Sequence, residues 1–177
     1  NDCWWTDYLP IYWLPDSQSF FTFQSVNDYF DERAEATLSR VTLGAEVLIE
    51  TVAVIHARML SFSPDRQILT YWNQPDIEQW EANPKLMNWV TFYLMNSQEL
   101  DPRRYAEAYG HRLLAWNPDN LRFLFNYSTS GGANLVSDRL GVGHICQPPQ
   151  EVTLPRQASA SEAKWLDKTH FLVWTYP

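Results

Sequence analysis

Lysine, cysteine and glycine are all scarce in this chain of 177 residues, and each shortage excludes something. Three lysines (Lys85, Lys164, Lys168) and ten scattered arginines face 21 acidic residues, for a formal net charge of −8. Phosphate contacts need clustered cations, so the balance argues against nucleic acid and an anionic membrane surface as partners. Long apolar runs are missing too. The longest, residues 43–55, is broken by Glu46 and Glu50 and falls short of the ~20 residues a membrane span requires.

The two cysteines, Cys3 and Cys146, fit either one disulfide or a pair of free thiols. A bridge would close nearly the whole chain and, on the chain-entropy model, stabilise it by about 5 kcal/mol. With the sequon Asn126-Tyr127-Ser128, this leans toward a secreted protein, a cytoplasmic one being the alternative. Four histidines occur without HExxH, ExxH or CxxC spacing, so no metal site is expected. There is no P-loop lysine, and Gly141-Val142-Gly143 lacks the third glycine of a dinucleotide fingerprint, so no cofactor is called for.

What is abundant is aromatic. Ten rings fall in the first thirty residues, among them Trp4, Trp5, Tyr8, Tyr12 and Trp13. Large rings bury much surface for few rotatable bonds, so this segment should line a pocket, cover the core or face a partner. Trp4, Trp5, Tyr8, Tyr12 and Trp13 are the candidate ligand-binding residues.

Composition and length predict a single domain over 1–177 without an internal repeat. Proline recurs after small or polar residues, as in Ser63-Pro64-Asp65, Asn83-Pro84-Lys85, Asp101-Pro102-Arg103 and Asn117-Pro118-Asp119. These letters suit a helix N-cap followed by proline, or a type I turn between strands. Tyr105, Tyr109, Leu113 and Trp116 share one face at helical spacing, which predicts a helix over 102–116. Leu86, Trp89, Val90, Tyr93 and Leu94 predict another. Residues 45–60 read as a buried helix, although their β-branched content also permits a strand. Alternation predicts strands over 121–128 and 170–176, and residues 147–160, with three prolines, read as a loop. The fold expected is α+β: a compact domain with an aromatic-rich core, helices mainly in residues 30–116 and strands near the ends. An all-β barrel is the alternative, with Ser63-Pro64-Asp65-Arg66 and Asn117-Pro118-Asp119-Asn120 as hairpin turns.

Four of six glycines fall at Gly131, Gly132, Gly141 and Gly143, which predicts an irregular, mobile loop over 131–144. Near it stand Asp138, Arg139 and His144; Arg103, Glu107 and His111 form a polar stripe on the expected helix. The leading functional expectation is a non-catalytic binding protein with an aromatic-rich pocket or interface for an apolar or planar small molecule or a protein partner. The alternative is a small cofactor-free enzyme using His144, Asp138, Arg139 and His111 for proton transfer. An enzyme should bring at least two of these into one cavity.

Overall fold

The computed structural model describes residues 11–25, 36–55, 60–75, 77–86, 89–129, 139–154 and 159–176. Among them run β1 (Tyr12–Trp13), β2 (Ser19–Ser25), β3 (Ala36–Leu43), β4 (Val47–Ile55), β5 (Leu60–Phe62), β6 (Ile68–Asn73) and the short helix α1 (Ile77–Ala82). There follow a 3-10 turn at Pro84–Leu86, β7 (Trp89–Asn96), β8 (Pro102–Trp116), β9 (Arg122–Ser128), β10 (Arg139–His144), β11 (Gln147–Val152), β12 (Ser159–Trp165) and β13 (Phe171–Tyr176). Every strand pairing is antiparallel. No helix among the described residues is long and apolar enough to cross a membrane.

The expected α+β fold is therefore overturned. The helix over 102–116 is strand β8, because its i, i+4 spacing keeps residues on one face of a strand as well as of a helix. Residues 45–60 supply β4 and the start of β5; far from a buried helix, Val47, Leu48 and Ile49 are each more than half exposed. Residues 89–94 belong to β7, while Asn83 does cap a helical turn, its Oδ1 accepting from Lys85 N–H at 3.3 Å. The expected loop holds β11, where Pro148 and Pro149 lie on a sheet edge that needs no N–H from them. The expected strands match β9 and β13. The barrel alternative has its two turns in place, but its strands form separate open sheets of four, seven and two.

A repeat, unexpected from the sequence, organises those sheets. Asp16, Asp65, Asp119 and Asp167, spaced 49, 54 and 48 residues apart, occupy the same tight turn between consecutive strands: β1–β2, β5–β6, β8–β9 and β12–β13. The Oδ1 of Asp16 accepts from Gln18 N–H (2.9 Å) and Ser19 N–H (2.8 Å), and that of Asp65 from Gln67 N–H (3.1 Å). Asp119 takes Leu121 N–H (2.9 Å) and Arg122 N–H (3.1 Å), and Asp167 takes Thr169 N–H (2.6 Å) and His170 N–H (2.8 Å). The residue after the first three aspartates is left-handed in each copy: Ser17, Arg66 and Asn120, with φ of 57°, 58° and 62°. A later turn then closes on each: Leu43 N–H to Gln18 O (2.8 Å), Ser97 N–H to Gln67 O (2.9 Å), Ile145 N–H to Leu121 O (3.0 Å). Aspartate suits this because its carboxylate satisfies backbone N–H groups two and three residues on. A helix N-terminus would put the same letters to the same use, which is why spacing alone misleads.

The chain forms two compact units, Asn1–Arg58 and Met59–Pro177. The first is the meander β1–β2–β3–β4 around Leu14, Phe21, Leu38, Val41 and Ile55, with Arg40 and Glu50 paired across β3 and β4 at 2.5 Å.

In the second unit, the seven-stranded sheet is two meanders sharing one strand. Residues 102–109 of β8 pair with β7, whereas 109–116 pair with β9. Phe92 sits opposite Ala106 and Phe123 opposite Trp116, positions that a straight strand would hold about 33 Å apart. The centroids of Phe92 and Phe123 are nevertheless 5.6 Å apart. Strand β8 must fold back on itself, and it does so at Gly110, whose φ of 55° a side chain would resist, within the register shift at Tyr109/Arg112 and just before a second at Leu113/Ala115. The β12–β13 hairpin joins the second meander through Asn126 Nδ2–H to Ala160 O (2.7 Å) and Trp165 Nε1–H to Ala115 O (3.3 Å). Consecutive turns are also linked: Asp65 N–H donates to Asn120 Oδ1 (3.0 Å), and Asn117 Nδ2–H to Lys168 O (3.1 Å).

Candidate functional site

The fold-back of β8 creates a seam lined by rings. Trp116, Phe123, Phe125 and Tyr127 touch in succession, with centroids 5.1, 5.9 and 5.7 Å apart. Alternation on β9 supplies the last three. The facing meander contributes Phe92 and Tyr105. Tyr105 is the extra residue in a bulge, since Phe92 pairs with Ala106 and Tyr93 with Arg104. It reaches the ring of Phe123 at 5.4 Å, and its Oη accepts from His144 N–H at 2.9 Å. Burial pushes the Tyr105 phenol upward in pKa, and the bond from His144 only partly offsets this, so it stays neutral at pH 7.

Glycine makes the layer possible. Gly141 and Gly143 pair with Phe125 and Phe123, and a Cβ on either would collide with the ring opposite. The expected mobile loop is thus, over residues 139–144, strand β10, with its two glycines serving as ring seats. Gly131, Gly132 and Asp138 lie outside the described residues.

Among the described residues, three clefts open along the seam. One of about 320 Å³ lies at the Tyr127 end, between Ala106 and Ala108 of β8, Phe125 and Tyr127 of β9, Gly141 of β10 and Glu151 of β11. Glu151 accepts from Tyr127 Oη–H at 3.1 Å and pairs with Arg139. Two adjoining clefts of about 160 and 340 Å³ share Leu94, Arg103, Ile145 and Cys146 at the other end. None of the three has a histidine among its lining residues.

Among the described residues, two of the sequence-predicted catalytic candidates stand apart. Arg139 and His144 stand at opposite ends of β10, about 17 Å apart along an extended strand. The His144 ring accepts from Cys146 N–H at 3.1 Å through Nδ1. His111 belongs to β8, and Glu107 of the expected polar stripe pairs with Arg104 and accepts from Thr91 Oγ1–H at 3.1 Å. Tyr12 and Trp13 form β1 beside Phe20, Trp13 at 5.0 Å from it, while Trp4, Trp5 and Tyr8 lie outside the described residues. Cys146 is exposed; Cys3, its expected partner, is outside the described residues. Asn126 of the sequon is 5% exposed, its amide engaged with Ala160, which leaves no room for a glycan. No group of three metal-ligating side chains converges among the described residues. Sequence reasoning missed Ala106, Ala108 and Glu151. The available signal was the pair of glycines spaced by two, matching the ring spacing on β9.

No protein-family model matches the chain, and no curated protein matches it in sequence. Solved structures do. The chain is similar to the β-propeller domain of the Trilobed protease from Pyrococcus furiosus, at TM-score 0.50 and 16% identity over 81% of this chain and 41% of that one. It also resembles a prolyl endopeptidase (TM-score 0.60, 19% identity, 95% of this chain and 25% of that one). A third likeness is to the acylaminoacyl peptidase of Pyrococcus horikoshii (0.52, 13%, 88% and 25%). This chain therefore spans between 25% and 41% of those chains. At these identities the likeness speaks to fold alone: the four-stranded meanders are blades like those of a β-propeller, whose repeats run to about 40–50 residues.

Proposed function

We propose that this chain is a non-catalytic set of propeller blades, a scaffold that binds a ligand or partner for chemistry carried out elsewhere. The observation that carries the reading is the repeated blade turn, which spends the chain's most regular carboxylates on backbone N–H groups rather than on a reacting centre. The separation of Arg139 from His144 along β10 supports it. The likeness to propellers of peptidases suggests a peptide as the thing bound and peptide hydrolysis as the companion chemistry. Export with a Cys3–Cys146 bridge belongs to the same proposal, and a thiol titration on unfolded, unreduced protein checks it.

The test is to offer proline-containing peptides and acylaminoacyl p-nitroanilides, and to record calorimetric binding and release of nitroaniline together. Binding without turnover is expected. Turnover abolished by His144→Ala would install the enzyme reading instead, and the absence of both would reject a peptide-handling scaffold.

A further inference from the structure

The cleft beside Tyr127 is a ring-sized gap in an otherwise continuous aromatic layer. Phe123 is fully buried because Trp116, Phe92 and Tyr105 all cover it, at 5.1, 5.6 and 5.4 Å. Two residues along β9, Phe125 is still buried, but beside Tyr127 the facing strand offers Ala106 and Ala108, whose methyl groups leave a cleft. The space left is about 320 Å³, at the lower end of the range for small-molecule sites. Of its polar rim of Glu107, Gln150 and Glu151, Glu151 is held between Tyr127 Oη and Arg139, so an entering group need not break that arrangement to bind.

We propose that this cleft binds one flat apolar ring system, stacked on Tyr127 as the next rung after Trp116, Phe123, Phe125 and Tyr127. Rings prefer offset or tilted neighbours 4.5–7 Å away, the spacing the existing rungs keep. Ala106, Ala108 and Pro149 supply apolar walls, and Glu151, held from behind by Arg139, meets the ring's polar edge. The inference deepens the scaffold reading by naming a ligand class and its place.

Indole and N-acetyl-tryptophan amide are the probes, titrated into the protein while the amide signals of Ala106 and Gly141 are followed by NMR. Both signals should shift, more than those of Cys146 in the other clefts. Tyr127→Ala should weaken binding by about tenfold, whereas Tyr127→Phe, which keeps the ring and loses the bond to Glu151, should stay within about twofold. Ala106→Val, which narrows the cleft from the opposite strand, should also weaken it with the melting temperature little changed. Binding of the amide but not of indole would assign the ring to a peptide side chain rather than a free ligand. Shifts confined elsewhere, or equal affinity in wild type and Tyr127→Ala, would overturn the site. The scaffold reading would survive that failure, because peptide binding without turnover tests it separately.

Discussion

The two ends of the inter-blade seam are made by the same strands and have opposite character. At Phe123 three rings close over a fourth; at Tyr127 alanines face the ring and a cleft remains. What differs is side-chain size on β8, together with a bulge that adds Tyr105 at the first end. Strand pairing places rings, and the residues opposite decide whether they become core or platform.

The largest expected effect breaks the closed end. Phe123→Ala should cost about 3–5 kcal/mol in urea melts, as a buried ring lost to a cavity that neighbouring rings cannot fill. Tyr127→Ala, at the open end, should cost about 1 kcal/mol or less. Equal losses would mean that the ends are not different in kind. Gly143→Ala should lose about 1–3 kcal/mol through collision with Phe123, and combining it with Phe123→Leu should recover part of that, since the two share one space.

Turns sharpen the same lesson, with one motif in two surroundings. Asp119 is held by Leu121, Arg122 and the Arg122 guanidinium beside a fully buried Asn117, whereas Asp167 holds an exposed hairpin. Asp119→Ala should cost about 1.5–3 kcal/mol, and Asp167→Ala much less. Burial tends to raise the pKa of Asp16 and Asp119, but N–H donors outweigh it and hold both below the ordinary carboxylate value; Asp167 is lowered chiefly by Thr169 N–H. A depressed folded-state pKa contributes stability that is complete above about pH 4 and lost as pH falls through the depressed value. Acid melts should thus steepen below pH 4, and Asp119→Asn should flatten that limb. The smallest effect is a gain: Ser17→Gly relieves a left-handed residue and should add about 0.5–1 kcal/mol to thermal stability.

Much of this was legible in local letters and little of it in their arrangement. Alternation found β9 and β13, and the turn chemistry of Ser63–Arg66 and Asn117–Asn120 was readable as hairpins. Leu14-Pro15-Asp16 and Leu166-Asp167 carry the same signal in altered form, the last without its proline, so the repeat went unseen. Tyr105, Tyr109, Leu113 and Trp116 looked helical because even spacing suits a strand and a register shift converts the final step from four residues to three. The cleft was invisible because its residues come from four strands and its small ones matter by what they leave empty.

Strand β8 has a consequence for how such a chain can be divided. The unit that repeats in the letters runs from one aspartate turn to the next, but the unit that repeats in space begins inside β8, at Gly110. A segment cut at the turns would therefore carry one blade's outermost strand away with its neighbour's first. Duplication or domain transplantation should succeed when the break falls near Gly110, and should leave an open sheet edge on both pieces when it falls near Asn117.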